Sequence, residues 1–133
     1  MNVIGQGISL INVKQINEIY KQQKSCLEKQ CFTMAERELA RMRLERVQFF
    51  AGRIAAKKAV FQALGQEGKS ISWRSIEIQR LSTGQPFIVL YGNTLKVATE
   101  LSIDKWLVSI SHTSDYATAS AIALDRQNTN LKY

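Results

Sequence analysis

The sequence predicts one α+β domain, and three observations carry that prediction. Residues 48–65, QFFAGRIAAKKAVFQALG, repeat apolar side chains at helical spacing, whereas residues 75–91 and 106–124 alternate at strand spacing around turn residues. With 133 residues, 45% of them apolar, and only one Pro, the chain is sized for one core and too short for two. Residues 1–124 are expected to form the domain and residues 125–133 a C-terminal tail.

Taken in order, Val3 to Ile11 is apolar and β-branched around Gly5 and Gly7, and reads as a strand that bends or passes close to other backbone. Asn12 is a helix cap for a segment with Val13, Ile16 and either Ile19 or Tyr20 on one face, expected to end in the polar stretch from Lys21. Thr33 and Glu36 have capping-box spacing, which predicts a helix of strong formers from Met34 to Arg46. Segment 48–65 is the clearest helix, with Gly65 as its terminator.

Advancing about 100° per residue puts Phe50, Ile54, Phe61 and Leu64 on one stripe of that helix. Lys57 falls in the middle of the stripe, Lys58 near its edge, and Gln62 one turn further along on the polar side. An ammonium inside an apolar stripe must snorkel, find a carboxylate or meet an anionic ligand. Beyond it, Ser75 to Leu81 and Phe87 to Tyr91 form a hairpin turned by Thr83-Gly84-Gln85-Pro86, and Thr94 to Ser102 is a short helix. Trp106 to Ser111 and Tyr116 to Leu124 are strands joined by the turn His112-Thr113-Ser114-Asp115. The second is so rich in Ala and Ser that it must pack closely against something.

Charge narrows the function. Eighteen Lys and Arg against eleven Asp and Glu give +7, and residues 1–65 hold eleven basic and five acidic side chains, a net +6. An anionic partner is expected to meet the first half of the chain. Aromatic residues do not alternate with the basic ones, so a nucleic-acid surface is not expected. No window has eighteen uncharged apolar residues, and the first residues lack the pattern of a signal peptide, so neither a membrane nor export is expected. Cys26 and Cys31 read as free thiols in a reducing compartment, which points to the cytoplasm.

His112, the single histidine, stands among Ser109, Ser111, Thr113 and Ser114, hydroxyls suited to phosphoryl oxygens; the alternative is a structural or exposed turn residue. No hydrolase elbow or P-loop is present, since G-x-S-x-G is absent and Gly5 and Gly7 lack both a third glycine and a Lys-Ser/Thr pair.

FAGRIAAKKAVFQALG, the GQP turn and SISHTSDYATA, in that order and spacing, resemble the holo-acyl-carrier-protein synthases, the small trimeric branch of the 4'-phosphopantetheinyl transferases. GQGISLINVKQI and CFTMAE follow the same pattern more loosely. The resemblance implies a 4'-phosphopantetheinyl transferase fold, with a long central helix packed on an antiparallel sheet, and a homotrimer with active sites in the clefts between subunits. It implies coenzyme A as donor, whose pyrophosphate is attacked by a carrier-protein serine with release of adenosine 3',5'-bisphosphate. An acidic acyl carrier protein as recipient fits the basic first half, with Lys14, Gln15, Lys21 and Lys24 as its expected contacts. Arg53, Lys57, Gln62, Gly65, Ser109, Ser111, His112 and Thr113 fall at donor-binding positions, and Lys57, Lys58 and His112 are implied to be catalytic.

The chain departs from the pattern where magnesium is usual. The family's Gly-x-Gly-x-Asp, followed by Glu and Arg at three-residue intervals, is here Ser9, Asn12 and Gln15; its Ala-Ala-Lys-Glu-Ala carries Lys58 in place of Glu. Magnesium needs anionic oxygen ligands, so no metal ligand is assigned at Ser9 or Lys58. Two readings follow: a transferase in which Lys58 neutralises the pyrophosphate directly, or an impaired or inactive paralogue that keeps coenzyme A or carrier-protein binding.

Overall fold

The computed structural model describes residues 1–66, 69 and 72–126. Its elements run β1 (Val3–Asn12), α1 (Val13–Cys31), α2 (Met34–Arg41), α3 (Arg46–Ala63), a 3-10 turn (Trp73–Ser75), β2 (Ile76–Arg80), β3 (Pro86–Leu90), α4 (Gly92–Glu100), β4 (Ile103–His112) and β5 (Tyr116–Asp125). The sheet β1-β5-β4 is antiparallel throughout, and β2-β3 form a separate antiparallel hairpin.

Helix α3 is the centre of the molecule. From Phe49 to Phe61 every residue except Lys58 is buried, so its apolar surface is a cylinder more than a stripe. One side lies on the three-stranded sheet. The alternating alanines of β5, Ala117, Ala119, Ala121 and Ala123, are at most 2% exposed beneath it, and across β1 they oppose Ile11, Ser9, Gly7 and Gly5. A Cβ on Gly7 would collide with the carbonyl oxygen of Ala59, and one on Gly5 with that of Ala63. The glycines and alanines are therefore what lets strand and helix backbones touch. The close packing expected of the last strand is thus packing against this chain's own helix.

The opposite face of the sheet is open. Ile8 (70% exposed), Leu10 (69%), Leu107 and Tyr116 lie there beside Thr118 and Ser120.

Three local expectations change. Helix α1 does not stop near Lys21 but continues to Cys31 past non-helical backbone at Gln23, because Leu27 is buried in the core and Phe32 follows it there. The helix capped by Thr33 ends at Arg41, well short of Arg46, and α3 begins at Arg46, two residues ahead of the expected start at Gln48. Asp125 belongs to β5: its backbone N–H donates to Asn2 O, and its carboxylate accepts from Asn2 N (2.6 Å) and Nδ2. Position 125, expected to open the tail, is therefore the last residue of β5, and residues 127–133 lie outside the described residues.

Candidate functional site

Arg53 is 1% exposed, yet among the described residues it has no carboxylate partner. Its guanidinium stacks over the Phe49 ring at 4.1 Å, and among the described residues its buried Nε and Nη2 have no hydrogen-bond acceptor. It faces a cavity of about 290 Å³ lined also by Arg43, Phe49, Arg80, Ile110 and His112. Burial, then the neighbouring Arg80, with a smaller push from Arg43, drive its pKa down to about 10. A buried cation among other cations is unfavourable unless an anion completes the set, and guanidinium groups with an imidazole suit phosphate oxygens. Of the residues expected to bind the donor, the structure brings Arg53 and His112 together here. Arg43 and Arg80 join them from the α2–α3 connection and the end of β2; no short-range pattern marks them, because the cavity is assembled from four separate segments.

Lys57 is corrected. Its ammonium is fully buried and donates to Glu36 Oε1 (2.7 Å), Cys31 O (2.6 Å) and Trp73 O (3.0 Å). All three protons have acceptors inside the protein, so none is left for a donor or a reacting group. Glu36 also accepts from Thr33 N and Ile78 N, so the capping box of α2 is tied to both α3 and β2. Next to it, Glu77 accepts from Thr33 Oγ1, Gln79 Nε2 and the Tyr91 hydroxyl. Burial alone would raise the Glu77 pKa, but these three hydrogen bonds outweigh it and hold the carboxyl below its ordinary value. Of the three outcomes open to an ammonium in this stripe, the fold takes the carboxylate.

A third group lies where β1 crosses α3. Ser9 Oγ donates to Ala55 O, and Gln62 Oε1 accepts from Ile8 N at 2.6 Å on the outer edge of β1. Gln62 is thus engaged with backbone, and Gly65 serves as the left-handed stop of α3 at φ +69°. Lys58, one turn before Gln62 on the same side of the helix, is exposed and has no hydrogen bond or ion pair among the described residues. Ser9 and Lys58 do not fit magnesium: one offers a neutral hydroxyl already bonded to a carbonyl, the other three N–H donors and no acceptor. Among the described residues no group of three His, Cys, Asp or Glu side chains is placed to hold a metal ion.

The hydroxyls around His112 do not form one cluster. Ser109 pairs with Ser120 and Ser111 with Thr118 on the open face of the sheet, whereas His112 pairs with Ala117 on the α3 face. The Thr113 hydroxyl accepts from Asp115 N and Tyr116 N and so shapes the turn. Lys14, Gln15, Lys21 and Lys24 are all exposed along α1, as docking contacts must be.

The 4'-phosphopantetheinyl transferase superfamily model matches residues 6–121. Holo-acyl-carrier-protein synthase of Desulforudis audaxviator is 37% identical over 122 residues, covering 92% of this chain and 93% of that protein. The enzyme of the same name from Chlamydia pneumoniae is 36% identical over 93% of this chain and 99% of its own. Among solved structures, holo-ACP-synthase from Plasmodium yoelii superposes with a TM-score of 0.83 at 27% identity, covering 95% of this chain and 98% of that one. The ACPS–CoA complex from Chronobacterium ammoniagenes gives 0.80 at 29% identity, covering 96% and 100%. With the family model matched over most of its length and relatives above 30% identity over nearly all of it, the chain belongs to the 4'-phosphopantetheinyl transferase superfamily, in its holo-acyl-carrier-protein synthase family.

Proposed function

We propose that this enzyme transfers the 4'-phosphopantetheine group of coenzyme A to a serine of an acyl carrier protein. The observation that carries the reading is the buried, unpaired Arg53 guanidinium facing a cavity shared with Arg43, Arg80 and His112. Coenzyme A carries a pyrophosphate and a separate phosphate monoester, and such a cavity supplies fixed donors to one of these anionic groups. Full-length likeness to holo-acyl-carrier-protein synthases favours transfer over a role limited to binding.

In the step itself, the carrier serine Oγ forms a bond to the phosphorus on the pantetheine side. The bond from that phosphorus to the bridging oxygen breaks, and the oxygen leaves as part of adenosine 3',5'-bisphosphate. The serine proton passes to solvent or to the departing phosphate. The protein's part is to hold the two oxygens in line and to stabilise charge on the leaving group. Exposed Lys14, Lys21 and Lys24 on α1 offer an acidic carrier protein its docking charge, with Gln15 beside them.

We infer self-association as a homotrimer, the assembly that the family resemblance implies; the open face, where Ile8, Leu10, Leu107 and Tyr116 are exposed together, is the surface that supports a contact between copies. A second copy there would bring Ser109 and Ser111 to a neighbouring subunit's cleft. The mass measured by light scattering should be three times the 15.1 kDa chain mass, and a monomer at micromolar concentration would refute it. The free thiols at Cys26 and Cys31 suit a reducing compartment such as the cytoplasm, and fatty acid biosynthesis is the role proposed through the acyl carrier protein it would modify. The deciding assay incubates the protein with coenzyme A and an apo acyl carrier protein and reads the phosphopantetheine adduct by intact mass. No adduct, with chelator or with any divalent cation, would overturn the transferase.

A further inference from the structure

We propose that the seam between β1 and α3 holds no resident divalent cation, and that the Lys58 ammonium is the positive charge it offers to the donor pyrophosphate. This rests on the transferase reading above. Along the seam, Ser9 is bonded to Ala55 O, Gly7 lies against Ala59 and Gly5 against Ala63. Two β1 residues therefore advance with each turn of α3. Gln62 reaches the β1 edge at Ile8, so Lys58, one turn back on the same flank, emerges beside the edge near Leu10, next to Ser9.

Among the described residues Lys58 has no acceptor and no ion pair, and the first turn of α1, which follows β1 directly, contains no acidic residue. Glu36 cannot supply a carboxylate to a neighbouring subunit's seam: it is fully buried against Lys57 and cannot leave it without stranding a charge. A divalent ion placed at the seam would meet an ammonium and a neutral hydroxyl. Its charge would be opposed by the ammonium, with no carboxylate to replace its water.

The charge balance favours the substitution. An Asp, a Glu and one divalent cation sum to zero, whereas Ser9 and Lys58 sum to +1 with no ion bound. The site thus presents an anion with net positive charge, but as one screened point charge on a flexible stem. Donor binding should therefore be indifferent to magnesium and sensitive to salt.

The test measures binding and metal occupancy separately from transfer. Calorimetry of coenzyme A with the wild-type protein is expected to give the same affinity, within about twofold, in chelator and in millimolar magnesium, and Lys58→Met should weaken binding in chelator by about tenfold. Electron paramagnetic resonance of manganese should show no more bound ion with protein plus coenzyme A than with coenzyme A alone. Ser9→Asp with Lys58→Glu should create a protein-dependent manganese site, circular dichroism confirming that the half-buried Ser9 position tolerates the change. Wild-type protein that retains manganese beyond coenzyme A alone, or binds the donor tenfold more tightly with magnesium, overturns the proposal. So does a Lys58→Met variant with unchanged affinity in chelator. If wild type binds no coenzyme A under any condition, the transferase reading falls with it, whereas binding without adduct formation removes only the transfer step.

Discussion

Lys57 and Arg53 are cations buried one turn apart on α3, and the fold treats them in opposite ways. Lys57 has three acceptors, one of them the carboxylate of Glu36, so its charge and all its protons are accounted for within the chain. Arg53 has an aromatic face, two further guanidinium groups nearby and two nitrogens with no acceptor. Burial alone does not separate a structural charge from one that binds. The inventory of partners does, since a buried charged donor left unmet costs free energy that an incoming anion recovers.

The largest effect should come from disturbing the complete set. Lys57→Met leaves the Glu36 carboxylate buried without its cation and is expected to lower stability by about 3–5 kcal/mol in urea unfolding. Adding Glu36→Gln should restore part of the loss, because the amide oxygen still accepts from Thr33 N or Ile78 N. An unchanged midpoint in Lys57→Met would break the comparison. Arg53→Met should do the reverse, keeping or raising stability while weakening coenzyme A binding at low salt by about 10–100-fold. Lost stability with retained affinity would reassign Arg53 to the core. Arg80 already donates to Gly84 O and is exposed, so Arg80→Ala should weaken binding only about two- to fivefold, a difference that high salt erases.

The smallest effect is one of pH. Because the Glu77 carboxyl is held below its ordinary value of 4.5, the unfolded chain binds its proton more readily than the folded one. The stability from Glu77 is fully present above the ordinary value and is lost as pH falls through the folded value. Glu77→Gln should therefore flatten the acid limb of a stability-against-pH curve. Equal slopes in the two proteins would mean that the hydrogen bonds from Thr33, Gln79 and Tyr91 do not favour the ionised form.

Where structure is set by neighbours in sequence, it was legible. The Thr33–Glu36 capping box, the Gly65 stop and both hairpins are present because each is decided within a few residues. The break at residues 42–45 was not legible, since strong helix formers run through it and no Gly or Pro marks it. The second half of α1 reads as polar, and only the distant core that receives Leu27 and Phe32 makes it a helix. The candidate site divides the same way. Arg53 and His112 stand in recognisable segments, but which of the three outcomes Lys57 takes is not legible, because its partner Glu36, twenty-one residues away, is assigned by no local rule. The alternation of β4 would have separated Ser109 and Ser111 from His112 had it been carried through the turn.

The contact of β1 with α3 has a consequence for how such a site changes over time. Two strand residues rise about 6.7 Å and four helical residues about 6.0 Å, so the two backbones stay nearly in step over three successive contacts, and with glycines at two of them and only the short Ser9 side chain at the third they have little room to slide. The spacing of positions 9 and 58 is therefore set mainly by the two glycine contacts, away from the side chains that occupy those positions. Ion chemistry at that seam can be rewritten by two codons while the frame around it stands still, much as a socket of fixed bore accepts a different plug.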